Sequence, residues 1–166
     1  IRGADGASSL FRPTAVPCLI GSVVLCVGLD LLRSARVQAI GGNVSGNAGS
    51  DTIRLAFGVL NSTVGGGTDN DSISIAGGTT NGYVTGGKGI DTLVIAGSAS
   101  LSTLTGARGS DVILASASDG SSTFQISGGK GTDSIRLGTG VYATVAGGGL
   151  SDTINFTGKT NGGVIY

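Results

Sequence analysis

The chain has 166 residues, the size of one domain with a tail, and 33 of them are glycine. Only Pro13 and Pro17 are proline and glycine does not recur at every third position, which excludes collagen, while low charge and positive hydropathy exclude disorder. The formal net charge is zero, the basic residues are scattered, all ten acidic residues are Asp and His is absent. That inventory argues against nucleic acid as a partner and removes the commonest general base and zinc ligand.

Residues 1–27 read as an N-terminal cap or docking segment, which a solenoid needs at its end. Ala15 to Leu29 is apolar but broken by Pro17, Gly21 and Gly28, and it is too short to span a bilayer. Cys18 and Cys26 suit either a disulfide that staples this cap or two small buried apolar side chains. Gly28-Leu29-Asp30-Leu31-Leu32-Arg33 resembles Gly49-Ser50-Asp51-Thr52-Ile53-Arg54 and reads as a decayed first coil.

From there the chain repeats. Asp51, Asp71, Asp91, Asp111, Asp133 and Asp152 are separated by 20, 20, 20, 22 and 19 residues. Each sits in a similar phrase whose consensus is G-G-x-G-x-D-x-U-x-U, with U apolar, as in GGKGIDTLVI and GGKGTDSIRL, while Asp69 and Leu150 replace the last turn glycine in the second and sixth copies. A second apolar position stands seven residues before each Asp, at Val44, Val64, Val84, Leu104, Ile126 and Val145, with Val164 continuing the series. Each repeat therefore predicts two short strands, one before the glycines and one after the Asp, joined by a corner of Gly, Ser, Thr and Asn. Asp-only acidic usage and β-branched enrichment agree with turns and strands rather than helices. A period near 20 fits one coil of a right-handed parallel β-solenoid over residues 28–166, with identical positions stacked about 4.8 Å apart. The longer fourth interval predicts a bulge around Ser118 to Ser122, at the corner opposite the Asp row.

Stacking puts six carboxylates in one row, where like charges about 4.8 Å apart repel by about 1 kcal/mol even in water. Either a cation lies between successive carboxylates, or each is tied to backbone N–H groups in its own turn. Oxygen ligands and glycine turns suit Ca²⁺, and the absence of His and Glu argues against a transition metal. The phrase resembles the nonapeptide of the repeats-in-toxin calcium-binding family, over about 120 residues and in six copies. That resemblance implies Ca²⁺ as the bound cofactor, held by the motif Asp residues and by backbone carbonyls of the glycine turns. The corresponding positions are Gly46, Gly49, Gly66, Gly86, Gly89, Gly106, Gly109, Gly128, Gly131 and Gly147, with Asp69 as an added ligand or a tolerated turn residue.

Here the motif occurs once per coil rather than twice, like the long-period repeats of bacterial adhesins. Calcium is thus expected along one edge, with up to five inter-coil sites, and Asp119 is the exception at the opposite corner. Lys88, Arg108 and Lys130 share a column on the calcium edge and oppose cation binding at the middle sites. Ala48, Thr68 and Gly149 complete that column, so the regular Thr array of an ice-binding surface is missing. Gly86-Gly87-Lys88-Gly89 lacks the Lys-Ser/Thr spacing of a phosphate loop, and hydroxyls beside Asp lack a base. The sequence therefore predicts a non-enzymatic, calcium-rigidified extracellular or cell-surface module. Its alternatives are a self-assembling subunit of a surface layer, sheath, filament or virion, stacking through solenoid ends, and an accessory module of a secreted enzyme.

Overall fold

Glycine-rich turns and stretches of β-branched residues too short for a helix leave the chain one way to bury its apolar side chains. It coils, and each coil lays its strands on those of the last. The computed structural model describes residues 41–56, 58–116, 123–139 and 141–157, with backbone only for 18–20, 23–24, 31–33, 38–40, 122 and 164–165. The result is a parallel β-solenoid with three sheets and, among the described residues, no helix. Every pairing in it is parallel, and most offsets are 20 residues.

The first sheet stacks Asn43–Ala48, Thr63–Thr68, Tyr83–Lys88, Ser102–Arg108, Ser122–Lys130 and Val141–Gly149. These are the strands that run into the glycine turns. The second sheet follows the Asp residues: Thr52–Leu55, Ser72–Ile75, Thr92–Ile95, Val112–Ala115, Ser134–Leu137 and Thr153–Phe156. Leu31–Arg33 pairs with Thr52–Arg54 at the N-terminal end of that sheet, at the 21-residue offset expected of a decayed first coil. The ladders also take in Cys18–Ile20 and Val23–Val24, ahead of residue 28.

The third sheet corrects the expectation of two strands per coil. Gly58–Leu60, Thr79–Thr80 and Ala99–Ser100 pair in the stretch read as a plain corner, below Cys18–Ile20 and Gln38–Ile40. Strands of two or three residues are too short to show alternation in sequence, yet Val59, Thr79 and Ala99 point inward and are buried. A left-handed corner follows the strands Gln38–Ile40, Gly58–Leu60, Thr79–Thr80 and Ala99–Ser100, at Gly41, Asn61, Asn81 and Leu101, all with positive φ. Asn tolerates that conformation, and the Asn81 amide donates to the Asn61 side-chain oxygen at 3.1 Å. In the next two coils the equivalent residues are Thr123 and Tyr142, which disfavour positive φ, and the corner straightens. Ser122–Lys130 and Val141–Gly149 consequently run as nine-residue strands.

Inside lie continuous apolar ladders. Val44, Val64, Val84, Leu104, Ile126 and Val145 stack in register from the first sheet. Ile53, Ile73, Leu93, Ile113 and Ile135 do so from the second, beside the Leu55-to-Leu137 ladder, and all are buried. The last step differs from the sequence reading: Val145 pairs with Ile165, not Val164, because the offset there returns to 20 residues. The bulge expected near Ser118 to Ser122, Asp119, Asp30 and the Cys18–Cys26 pairing concern residues or side chains outside those described.

Candidate metal or proton ladder of buried aspartates

The glycine turns expose the problem that the Asp residues solve. Parallel pairing resumes after each turn, with the Asp carbonyl accepting from the next coil, as Ser72 N–H donates to Asp51 O at 2.8 Å. The backbone N–H of the Asp itself is buried and needs an acceptor. It finds one in a side chain. Asp51 N–H donates to Oδ1 of Asp71 at 2.8 Å, and the same bond links Asp71 to Asp91, Asp91 to Asp111, Asp111 to Asp133 and Asp133 to Asp152. The carboxylates of Asp71, Asp91, Asp111, Asp133 and Asp152 are therefore each tied to the preceding coil rather than to N–H groups of their own turns. The bond survives offsets of 20, 22 and 19 residues, so the extra or missing residues are absorbed elsewhere in the coil.

These carboxylates point into the solenoid. Asp51, Asp71, Asp91, Asp111 and Asp133 are each no more than 3 % exposed, and Asp152, at the end of the row, is half-buried. The second oxygen packs against the first glycine of its own turn. A methyl group added to Gly46, Gly66, Gly86, Gly106, Gly128 or Gly147 would overlap Oδ2 of the Asp five residues on. At Gly46, Gly66 and Gly128 the carbonyl oxygen of the next coil's equivalent glycine crowds the same point. These glycines have no positive φ; they are required for space, not for backbone angles. Gly49, Gly89, Gly109 and Gly131 do adopt positive φ, and the last three lie against backbone of the preceding coil. Asp69 and Leu150 occupy the same left-handed column at φ 77° and 73°. Asp69 is exposed and outside the ladder, where its Oδ2 accepts from Gly49 N–H at 3.2 Å and from the Thr68 hydroxyl at 3.4 Å.

Oδ2 of Asp71, Asp91, Asp111 and Asp133 is buried with no hydrogen-bond donor. An acceptor left without a donor in such a place costs about 1–3 kcal/mol, more if charged. Burial accordingly pushes Asp71 and Asp111 up to about 6, against the lowering effect of the N–H each accepts, with neighbouring carboxylates adding to the rise. Burial raises Asp91 and Asp133 too.

The atoms facing each other are all oxygens: carboxylate Oδ2 and glycine carbonyl. That donor chemistry fits a hard cation such as Ca²⁺, and it fits equally a proton on Oδ2. Among the described residues no three Asp, Glu, His or Cys side chains gather at one point, so a cation would draw on backbone oxygens as well. Sequence reasoning found the row but not its inward direction, although the invariably side-chain-free position five residues before each Asp was the available signal. No protein-family model matches the chain, and no curated protein or solved structure shows significant similarity to it.

Two outcomes test this geometry. Gly66→Ala should destabilise the protein by about 2–3 kcal/mol in chemical denaturation, by overpacking against Asp71. Gly65→Ala, one residue away with only ordinary contact to Thr85 at 3.5 Å, should be neutral or slightly stabilising. The second outcome concerns pH. Since the folded-state values of Asp71 and Asp111 lie above 3.8, the folded chain holds protons that the unfolded chain releases. In chelator their contribution is complete below about pH 4 and is lost as pH rises through about 6, so the melting midpoint should fall over that window, by on the order of 5 °C. A midpoint that rises instead would mean that the carboxylates are stabilised in their charged form.

Proposed function

We propose that the chain is a calcium-binding structural solenoid, a non-enzymatic extracellular or surface module of the repeats-in-toxin kind with one motif per coil. The observation that supports this reading is the file of buried Oδ2 atoms without donors at Asp71, Asp91, Asp111 and Asp133. At neutral pH a row of ionised carboxylates with no counter-charge is the most costly feature of the fold. Calcium would supply positive charge between coils and accept oxygen ligands in irregular number.

The residues that would hold it are Asp51, Asp71, Asp91, Asp111, Asp133 and Asp152 with carbonyl oxygens of the glycine turns, Gly66, Gly86 and Gly147 among them. The chain's own contribution is orientation. The N–H bond to Oδ1 fixes each carboxylate plane, and the glycine five residues earlier leaves room for Oδ2. Binding to the folded form alone would couple calcium to stability by mass action. A structural role follows from the same commitment, since carboxylates locked between coils are not available to a substrate.

A metal-free ladder is the competing reading, favoured by the five Oδ1 bonds already made to backbone N–H groups. Asp71→Asn separates the two. Asn keeps the Oδ1 acceptor and replaces Oδ2 with an N–H donor near the Gly86 carbonyl. The calcium reading predicts that Ca²⁺ raises the melting midpoint of the wild-type protein and that the variant loses part of that rise. If Ca²⁺ leaves the wild-type midpoint unchanged while Asp71→Asn raises it at pH 7 in chelator, the ladder is metal-free.

A further inference from the structure

Among the described residues, the formal neutrality of the chain conceals a basic surface. Of the Asp residues described, six belong to the ladder and only Asp69 is exposed. Arg54, Lys88, Arg108, Lys130 and Arg136 are all exposed. Burial has moved the negative charge inside and left the positive charge outside.

Three of these cations are not scattered. Lys88 pairs with Arg108, and Arg108 with Lys130, in the parallel register of the first sheet. Their side chains thus rise from one column at the strand spacing, about 4.8 Å. Like charges so placed repel by about 1 kcal/mol per step in water, and no fold requirement asks for them. Thr68 and Gly149 stand in the same column without charge. On both sides the column is flanked by small residues, Gly87, Ala107 and Gly129 before it and Gly89, Gly109 and Gly131 after it. The cations therefore stand clear of neighbouring side chains, over a floor of backbone held rigid by the solenoid ladders.

We propose that the Lys88–Arg108–Lys130 column is a binding track for a linear acidic polysaccharide, one bearing a carboxylate on successive sugar rings and lying along the solenoid axis. A repeating anion matches a repeating cation, and the Arg108 guanidinium offers a carboxylate two parallel N–H donors. Two positions further on stand Asn70, the exposed Ile90, Ser110 and Thr132, so hydrogen-bonding groups for sugar hydroxyls lie beside Arg108 and Lys130 and an apolar side chain beside Lys88. A nucleic acid is the poorer fit. Single strands are gripped by aromatic platforms, and the nearest exposed one, Tyr83, stands five residues back along the strand from Lys88. Duplex readout needs an element that enters a groove, and among the described residues there is no helix to do so. The track shares its turns with the proposed calcium sites, and Ca²⁺ bound there would add to the positive charge of the column.

The test uses the full chain and a homogeneous oligogalacturonate, with a neutral maltooligosaccharide and a single-stranded DNA of equal charge as the other arms. Titration calorimetry should show binding to the uronate that weakens with salt, and none to the neutral sugar. The triple variant K88Q/R108Q/K130Q should lose affinity at least about tenfold, whereas R54Q/R136Q on the second sheet should change it less than about twofold. Circular dichroism of both variants establishes that each retains the wild-type β signal. Absence of uronate binding overturns the proposal, as does equal loss in the two variants. DNA binding as tight as the uronate would overturn it in favour of a nonspecific polyanion surface.

Discussion

Everything in this solenoid hangs on one hydrogen bond repeated five times, from the backbone N–H of a buried Asp to Oδ1 of the Asp one coil later. The glycine turn breaks the parallel ladder, and a buried N–H left unpaired there would cost as much as a lost hydrogen bond. A short side chain ending in a planar acceptor restores the ladder across the break. Asp reaches; Glu would carry the carboxylate one methylene too far, and the chain contains none.

The remaining features follow from seating that carboxylate. Its second oxygen occupies the space of a β-carbon, which fixes glycine five residues earlier in every repeat. Its burial opposes ionisation and leaves an oxygen-lined position in want of positive charge, whether proton or calcium. Its removal from the surface leaves the exposed charge of the described residues predominantly basic. Stability, cation demand and surface charge are thus three consequences of one side-chain orientation.

Much of this was legible in the sequence because a solenoid repeats its errors and its rules alike. The interval between Asp51 and Asp71 is the interval between Val44 and Val64, and both became rungs of a ladder. What escaped was local. Two-residue strands such as Thr79–Thr80 carry no readable alternation, and the straightened corner at Thr123 depends on a φ preference that only a structural alignment of coils reveals. Val164 read as continuing the apolar series that ends at Val145. The strand register instead returned to 20 and set Ile165 opposite Val145, because spacing in a coil can be adjusted separately at each corner. The direction of the carboxylates escaped for another reason. Surface and interior Asp rows share the same period, and the distinction lies in what fills the space beside each glycine.

The inward ladder is tested most directly by amide hydrogen exchange at Asp71, Asp91 and Asp111, read residue by residue by NMR. A backbone N–H bonded to a buried carboxylate should exchange as slowly as the amides of Ile73, Leu93 and Ile113 in the neighbouring strands. Exchange as fast as that of exposed turn residues would mean that the carboxylates face outward, and the ladder would not exist.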